Sequence, residues 1–330
     1  MKILVTGGGG FLGSAICRQL RGRGFEVVAF QRGAAEHLRR AGVQVIQGDI
    51  CDAPALREAA RGCAAVIHTA GKAGVWGDAA DYERINVTGT KNVIRVCQDL
   101  HIPVLVYTSS PSIVQRGFDI EGGDESLPVA TRFLAPYPAS KARAEQLVLA
   151  SNAVALKTIA LRPHLIWGPG DPHILPHLQA AVRRGRLALP GAHKRVDTVY
   201  VENAALAHVN ALLELTGAGK SAGKAYFISN DEPVPQGEII QRLLAAAGIQ
   251  VEIRPVPGWL ANLAGALCET AWRLLRRKSE PPITRFSAQH LGAAHWYDIS
   301  AAKRDLGYRP VFTIAEGLLA LERSRDADAA

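Results

Sequence analysis

Residues 2–20 read KILVTGGGGFLGSAICRQL, and the order of residue types there decides the fold. Lys2–Thr6 is a short apolar run that stops at glycine, as a strand buried on both faces does. From Phe11 to Leu20 the apolar positions 12, 15, 16 and 20 return on one side of a helix. Gly22 and Gly24 then stop it. A strand that runs into a helix through Gly7, Gly8, Gly9, Gly10 and Gly13 presents free backbone N–H groups and the positive end of the helix dipole. Gly7 can take the tight turn, Gly10 admits a phosphate close to the backbone, and Gly13 lets the helix approach the strand.

Outward from this stretch the theme repeats. Glu26–Phe30, Val43–Gln47, Ala65–His68 and Val104–Thr108 are further apolar runs with helical patterns between them, and Thr158–Arg162 and Ala225–Ile228 add two more. Strands alternating with helices predict an α/β fold, a Rossmann-type doubly wound parallel sheet. Residues 1–165 are expected to form mainly the dinucleotide-binding core. Residues 166–330 are expected to form mainly a smaller substrate-binding region, with some chain crossing back. No internal repeat is evident.

A site for NAD wants an acidic residue at the end of the second strand to hold the ribose 2′-hydroxyl. Gln31 stands there, followed by Arg32. A guanidinium can pair with a 2′-phosphate, so NADP(H) is the expected cofactor. Asp49 and Ile50, after the third strand, are placed near adenine, although an aspartate there could equally cap a helix.

Tyr137-Pro138-Ala139-Ser140-Lys141 brings a phenol and an ammonium together one helical turn apart. A neighbouring ammonium favours the phenolate and so should lower the tyrosine pKa. Tyr137 is then a proton donor to a substrate carbonyl, and Lys141 can also hold a ribose hydroxyl. Ser110, at the end of the strand Val104–Thr108, can hold and polarise the same carbonyl oxygen.

Bulk properties bound the remaining options. The chain has 330 residues, a formal charge of +8 and a pI near 9.4. This favours anionic partners. The basic residues are scattered apart from Arg183, Arg184, Arg186 and Arg273, Arg276, Arg277, Lys278, and no aromatic-interleaved basic stripe marks a nucleic-acid binder. The five cysteines show no paired spacing, the chain opens directly on a strand, and a cytoplasmic location is expected. His173 and His177 are four apart but lack a third ligand, so no metal is expected.

Several runs together resemble a known family. TGGGGFLG (6–13), the Asn86-Val87-x-Gly89-Thr90-x-Asn92 run, YTSS (107–110), YPASK (137–141) and LRPHLIWGPGD (161–171) resemble the extended short-chain dehydrogenases. VDTVYVENAALAH (196–208) and APYPASKA (135–142) narrow the likeness to the 3β-hydroxysteroid dehydrogenase/isomerase branch. AGKAGVWG (70–77), GKAYFISNDEPVP (223–235) and HWYDISAAKRDLGY (295–308) are similar to the bacterial 2-alkyl-3-oxoalkanoate reductases of olefin and β-lactone assembly. The resemblance implies NADPH-dependent, reversible reduction of the 3-oxo group of a 2-alkyl-3-oxo acid. It implies Ser110, Tyr137 and Lys141 as the catalytic residues. Gly7, Gly10, Phe11, Leu12, Gly13, Arg32, Asp49, Ile50, Ala70, Lys141, Pro163 and His164 would meet the cofactor, and Asn86 would brace the active-site backbone. Gln31 departs from the acid of the NAD-using steroid enzymes, which agrees with a reductase.

Three alternatives stay open: a steroid or sterol-4-carboxylate 3-dehydrogenase, an NADP(H)-sensing protein without turnover, and a nucleotide-sugar epimerase. Lys72 and Trp76 could line the substrate mouth, with Lys72 meeting a carboxylate. The stripe Leu260, Leu263, Leu267, Ala271, Leu274, Leu275 suits core, the wall of an alkyl tunnel, or a face for a membrane or a pathway enzyme. A long-chain acyl substrate is the expected partner, and a homodimer is open.

Overall fold

Seven strands make one parallel sheet in the order β7-β6-β5-β4-β1-β2-β3: β1 (Lys2–Thr6), β2 (Glu26–Gln31), β3 (Gln44–Gln47), β4 (Ala65–His68), β5 (Val104–Thr108), β6 (Lys157–Pro163) and β7 (Lys224–Ile228). The structure is a computed structural model and describes every residue except Arg184, Lys278, Ala330 and the side chains of Asp328 and Ala329. Arg184 and Lys278 of the two basic clusters therefore lie outside the described residues.

Both faces of the sheet are covered, which is why its strands read as unbroken apolar runs. In β1, Ile3 and Val5 point into one core with Ile16 and Leu20 of α1 (Phe11–Gly22) and with the helix Val201–Thr216. Leu4, between them, points into the opposite core with Leu56, Val93 and Val148, from the helices Ala53–Ala60, Gly89–Asp99 and Pro136–Ala150. The order reverses at β1, between β4 and β2, so the loops after β1 and β4 flank the crevice where this sheet type binds ligands.

The chain crosses between the two regions in both directions. The helix Val201–Thr216 and β7 return to the core from the second half. Ile120–Gly123, from the first half, joins the small sheet of Val234–Pro235, Arg195–Val196 and His295–Tyr297. A further pair, Arg186–Pro190 with Glu252–Val256, completes that region. Among the described residues no helix is long and apolar enough to cross a membrane.

The leucine stripe is not core. The helix Gly258–Leu274 buries only Ala261, Gly265 and Glu269, while Leu263 is 50% and Leu267 63% exposed. A Cβ on Gly265 would lie 2.8 Å from the Arg285 nitrogen, and Glu269 accepts from both the backbone and the side chain of Arg285. Small residues therefore seat this helix on Arg285–Gly292, and the leucines are left facing outward.

Candidate active site

The glycine loop is built for close approach. Gly7 has φ +70°, and a Cβ there would lie 2.9 Å from the backbone of Ala70, at the end of β4. A Cβ on Gly13 would lie 2.1 Å from the Gly7 carbonyl oxygen, so only glycine lets α1 start against the turn. No side chain caps α1. Its first N–H groups, those of Phe11 and Leu12 among them, are therefore left for a ligand. Phe11 also borders a cavity of about 240 Å³ with Gly9, Gly10, Ser14, Arg18 and His37, whereas Leu12 turns into the core.

Beyond the loop, the Gln31 side chain lies over Gly9, where a Cβ would meet its amide at 2.4 Å. Its Nε2 donates to the Gly33 carbonyl at 3.3 Å, and its Oε1 is buried without a partner. An orphaned acceptor beside a phosphate cradle fits a ribose hydroxyl. Arg32 is exposed next to it. Asp49 accepts from the Cys51 N–H at 2.9 Å, the main reason its carboxyl is held below the usual range, with the Arg84 and Arg32 guanidiniums adding to this. The cap of Ala53–Ala60 is Asp52 rather than Asp49. Ile50 is buried against Gly89, and its carbonyl accepts from Asn92 at 3.0 Å.

The three proposed catalytic residues lie by the carboxyl end of β5, with the Tyr137 phenol against Ser110. Ser110 follows the strand and caps the short turn Pro111–Ile113, with its oxygen 2.9 Å from the Ser112 hydroxyl. Tyr137 and Lys141 lie in the first turns of Pro136–Ala150. The Lys141 ammonium donates to the Thr108 carbonyl at 2.5 Å and sits 4.3 Å from the centre of the Tyr107 ring. Burial brings Lys141 down to about 7, although the Glu145 carboxylate opposes this. Tyr137 departs from the sequence expectation. Burial raises its phenol above the ordinary value, and the hydroxyl of Ser110, not Lys141, works against the rise. The ammonium faces Thr108 and Tyr107, so desolvation decides the sign.

Around these groups the bonds leave little freedom. Asn86 accepts from the Lys72 N–H at 2.7 Å and donates to the Lys72 carbonyl at 3.1 Å and to Ser140 at 2.9 Å. Ser140 in turn donates to the Tyr137 carbonyl at 2.8 Å, so one amide ties the loop after β4 to the tyrosine helix. Lys72 already has a counter-ion. Its ammonium pairs with Asp81 at 2.8 Å over the Tyr82 ring, and Trp76 lies under Arg273. An ammonium with a carboxylate at that distance gains little from a second one.

Two arrangements escaped the sequence reading. Glu145, one turn beyond Lys141, takes both prongs of Arg162 at 3.0 and 2.6 Å in a buried pair that joins the tyrosine helix to β6. A charged residue inside the apolar run TIALRP (158–163) was the available signal. The other is a run of histidines. His164 Nδ1 is 2.5 Å from Asp197, its Nε2 is 3.1 Å from His295 Nδ1, and His295 Nε2 donates to the His290 carbonyl at 3.0 Å. These three histidines bring a ring nitrogen each within 4.8 Å and could hold a metal. Proton accounting fills the same positions. The carbonyl can only accept, so His295 Nδ1 must accept from His164 Nε2, and the Asp197–His164 pair carries the proton. The His164 ring is therefore committed, which leaves its backbone to offer a nicotinamide, beside Pro163, the last residue of β6.

The chain is similar to several known proteins. Residues 4–255 match the model of the 3-beta hydroxysteroid dehydrogenase/isomerase family. The 2-alkyl-3-oxoalkanoate reductase of Stenotrophomonas maltophilia (strain K279a) is 49% identical over 99% of this chain and 100% of its own. The enzyme of that name from Shewanella oneidensis is also 49% identical, over 97% of this chain and 85% of its own. Among solved structures, the UDP-glucose 4-epimerase of Thermus thermophilus in complex with NAD superposes with a TM-score of 0.74 at 25% identity, covering 100% of both chains. The chain belongs to the 3-beta hydroxysteroid dehydrogenase/isomerase family and is an oxidoreductase on a Rossmann-type fold.

Proposed function

We propose that the protein reduces the 3-oxo group of a 2-alkyl-3-oxoalkanoic acid to the 2-alkyl-3-hydroxy acid with NADPH, reversibly. Near half identity to two 2-alkyl-3-oxoalkanoate reductases over almost the whole chain carries this reading. The uncapped start of α1 and the orphaned Gln31 oxygen fit a dinucleotide, and exposed Arg32 without a carboxylate at position 31 favours the 2′-phosphate form.

When bound, NADPH supplies a hydride to the carbonyl carbon. Ser110 holds the carbonyl oxygen, and Tyr137 delivers the proton to it, so the carbonyl gains one hydride and one proton. A phenol held above its ordinary value stays protonated across neutral pH, as a donor in the reductive direction must. Lys141 holds the end of β5 through the Thr108 carbonyl and would hold a ribose hydroxyl of the bound cofactor. The free cysteines suit a reducing cytoplasm.

Incubation with NADPH and a long-chain 2-alkyl-3-oxo acid, beside a 3-oxosteroid, tests the reading. Consumption of NADPH with the oxo acid and a 2-alkyl-3-hydroxy product by mass spectrometry is expected. Turnover of the steroid alone would reassign the substrate.

A further inference from the structure

A cavity of about 280 Å³ opens beside the proposed catalytic residues. Ser112, whose hydroxyl is 2.9 Å from that of Ser110, lines it, and so does Pro138, the neighbour of Tyr137. A substrate whose carbonyl reaches Ser110 and Tyr137 has this cavity next to it for its substituents.

The lining has two characters. Phe133, Leu134 and Phe286 give it an apolar wall. Arg116 and Arg132 give it charge, and no aspartate or glutamate lines it. Asp119, near Arg116 in sequence, is used by Lys194 and by the Ala294 N–H, and Glu125, the acid nearest Arg132 in sequence, accepts from the Phe227 N–H. His290, also in the wall, is held neutral, since burial brings it to about 3. Arg116 donates to the Pro128 carbonyl at 3.1 Å. Arg132 is exposed at the rim, and its guanidinium has no acceptor among the described residues, in hydrogen bond or ion pair. A guanidinium without a counter-ion at the rim of a cavity with an apolar wall is open to an anion, and its planar fork matches a carboxylate.

We infer that Arg132 anchors the carboxylate of the substrate, with the hydrocarbon chains lying along the Phe133, Leu134 and Phe286 wall. This deepens the proposed reduction and rests on it for the identity of the substrate. It replaces Lys72, whose charge Asp81 already answers.

The test compares a 2-alkyl-3-oxo acid with its methyl ester in wild type, Arg132→Gln and Arg132→Lys. The wild type should show a KM for the acid roughly ten- to a hundred-fold below that for the ester, the range of a charge-assisted hydrogen bond. Arg132→Gln should raise the acid's KM by that factor, leave the ester unchanged and move kcat little. Arg132→Lys should recover part of the loss, because charge returns without the fork. Calorimetric binding of the 2-alkyl-3-hydroxy acid and its ester to the same three proteins gives a readout that needs no turnover. Melting curves establish that each variant is folded. Equal treatment of acid and ester by the wild type, or equal losses for both in folded Arg132→Gln, would overturn the anchor while leaving the reductase intact. If neither compound is reduced, the reductase reading fails, and the calorimetry still decides whether Arg132 selects the carboxylate.

Discussion

The ammonium of Lys141 donates to the carbonyl of Thr108 at 2.5 Å, which pins the helix carrying Tyr137 to the strand end that leads to Ser110. The bond is made by a buried cation, and burial brings Lys141 down from 10.5 to about 7.

Stability should therefore depend on this residue in a pH-specific way. The folded pKa lies below the unfolded one, so between about 7 and 10.5 the unfolded chain binds the additional proton. Stability rises with pH across that window, by up to ~1.4 kcal/mol per unit, and the penalty is full below it. Lys141→Met should lose activity yet match or exceed wild type in melting temperature at pH 6–7, with the advantage shrinking toward pH 10. Denaturant titrations at several pH values check this, and parallel slopes for the two proteins would count against it.

Acid continues the same trend below that window. His68, His208 and His290 are buried and neutral, brought to about 3, 4 and 3. Their folded values lie below 6.5, so the unfolded state gains protons first as pH falls. Each removes up to ~1.4 kcal/mol per pH unit below about 6. A sharp fall in melting temperature between pH 6.5 and 5 is expected; a flat profile there would show that these rings are not desolvated as described.

Cofactor choice rests on Arg32. Arg32→Ala should weaken NADPH binding by roughly ten- to a hundred-fold and leave NADH nearly unaffected. Fluorescence titration of both cofactors measures it. A wild type with no preference between them removes the role.

The seven strands were legible because a sheet covered on both faces writes continuous apolar runs, and Lys2–Thr6, Ala65–His68 and Val104–Thr108 match the sequence boundaries. The glycine loop was legible for a related reason, since a backbone approach such as that at Gly13 admits one residue type. Long-range polar partners were not legible. The Asp197–His164–His295 run joins residues 33 and 131 positions apart, and no local spacing encodes it. The leucine stripe left core, tunnel wall and outward face open, because helical periodicity reports an apolar face without saying what covers it.

The outward face of that helix gives a further expectation. Leu267→Asp exchanges a residue 63% exposed and should shift stability by no more than ~0.5 kcal/mol. No residue of the helix lines the cavity beside Ser112, so KM should change equally for short and long substrates. A selective loss of long-chain substrates would bring the helix back into the alkyl site.

If NADPH reduces a 3-oxo acid at Ser110, Tyr137 and Lys141, its transferred hydrogen ends on C3 of the product, and isotope transfer follows that hydrogen directly. Wild type and Tyr137→Phe are supplied with NADPH deuterated at the transferable position and a 2-alkyl-3-oxo acid, and the product is examined by mass spectrometry. One deuterium at C3 of the 2-alkyl-3-hydroxy acid is expected from the wild type. Tyr137→Phe should form it about 10²–10⁴-fold more slowly while still binding NADPH, the usual range for a positioned proton donor. An unlabelled product, or labelling by Tyr137→Phe at the wild-type rate, would contradict the account.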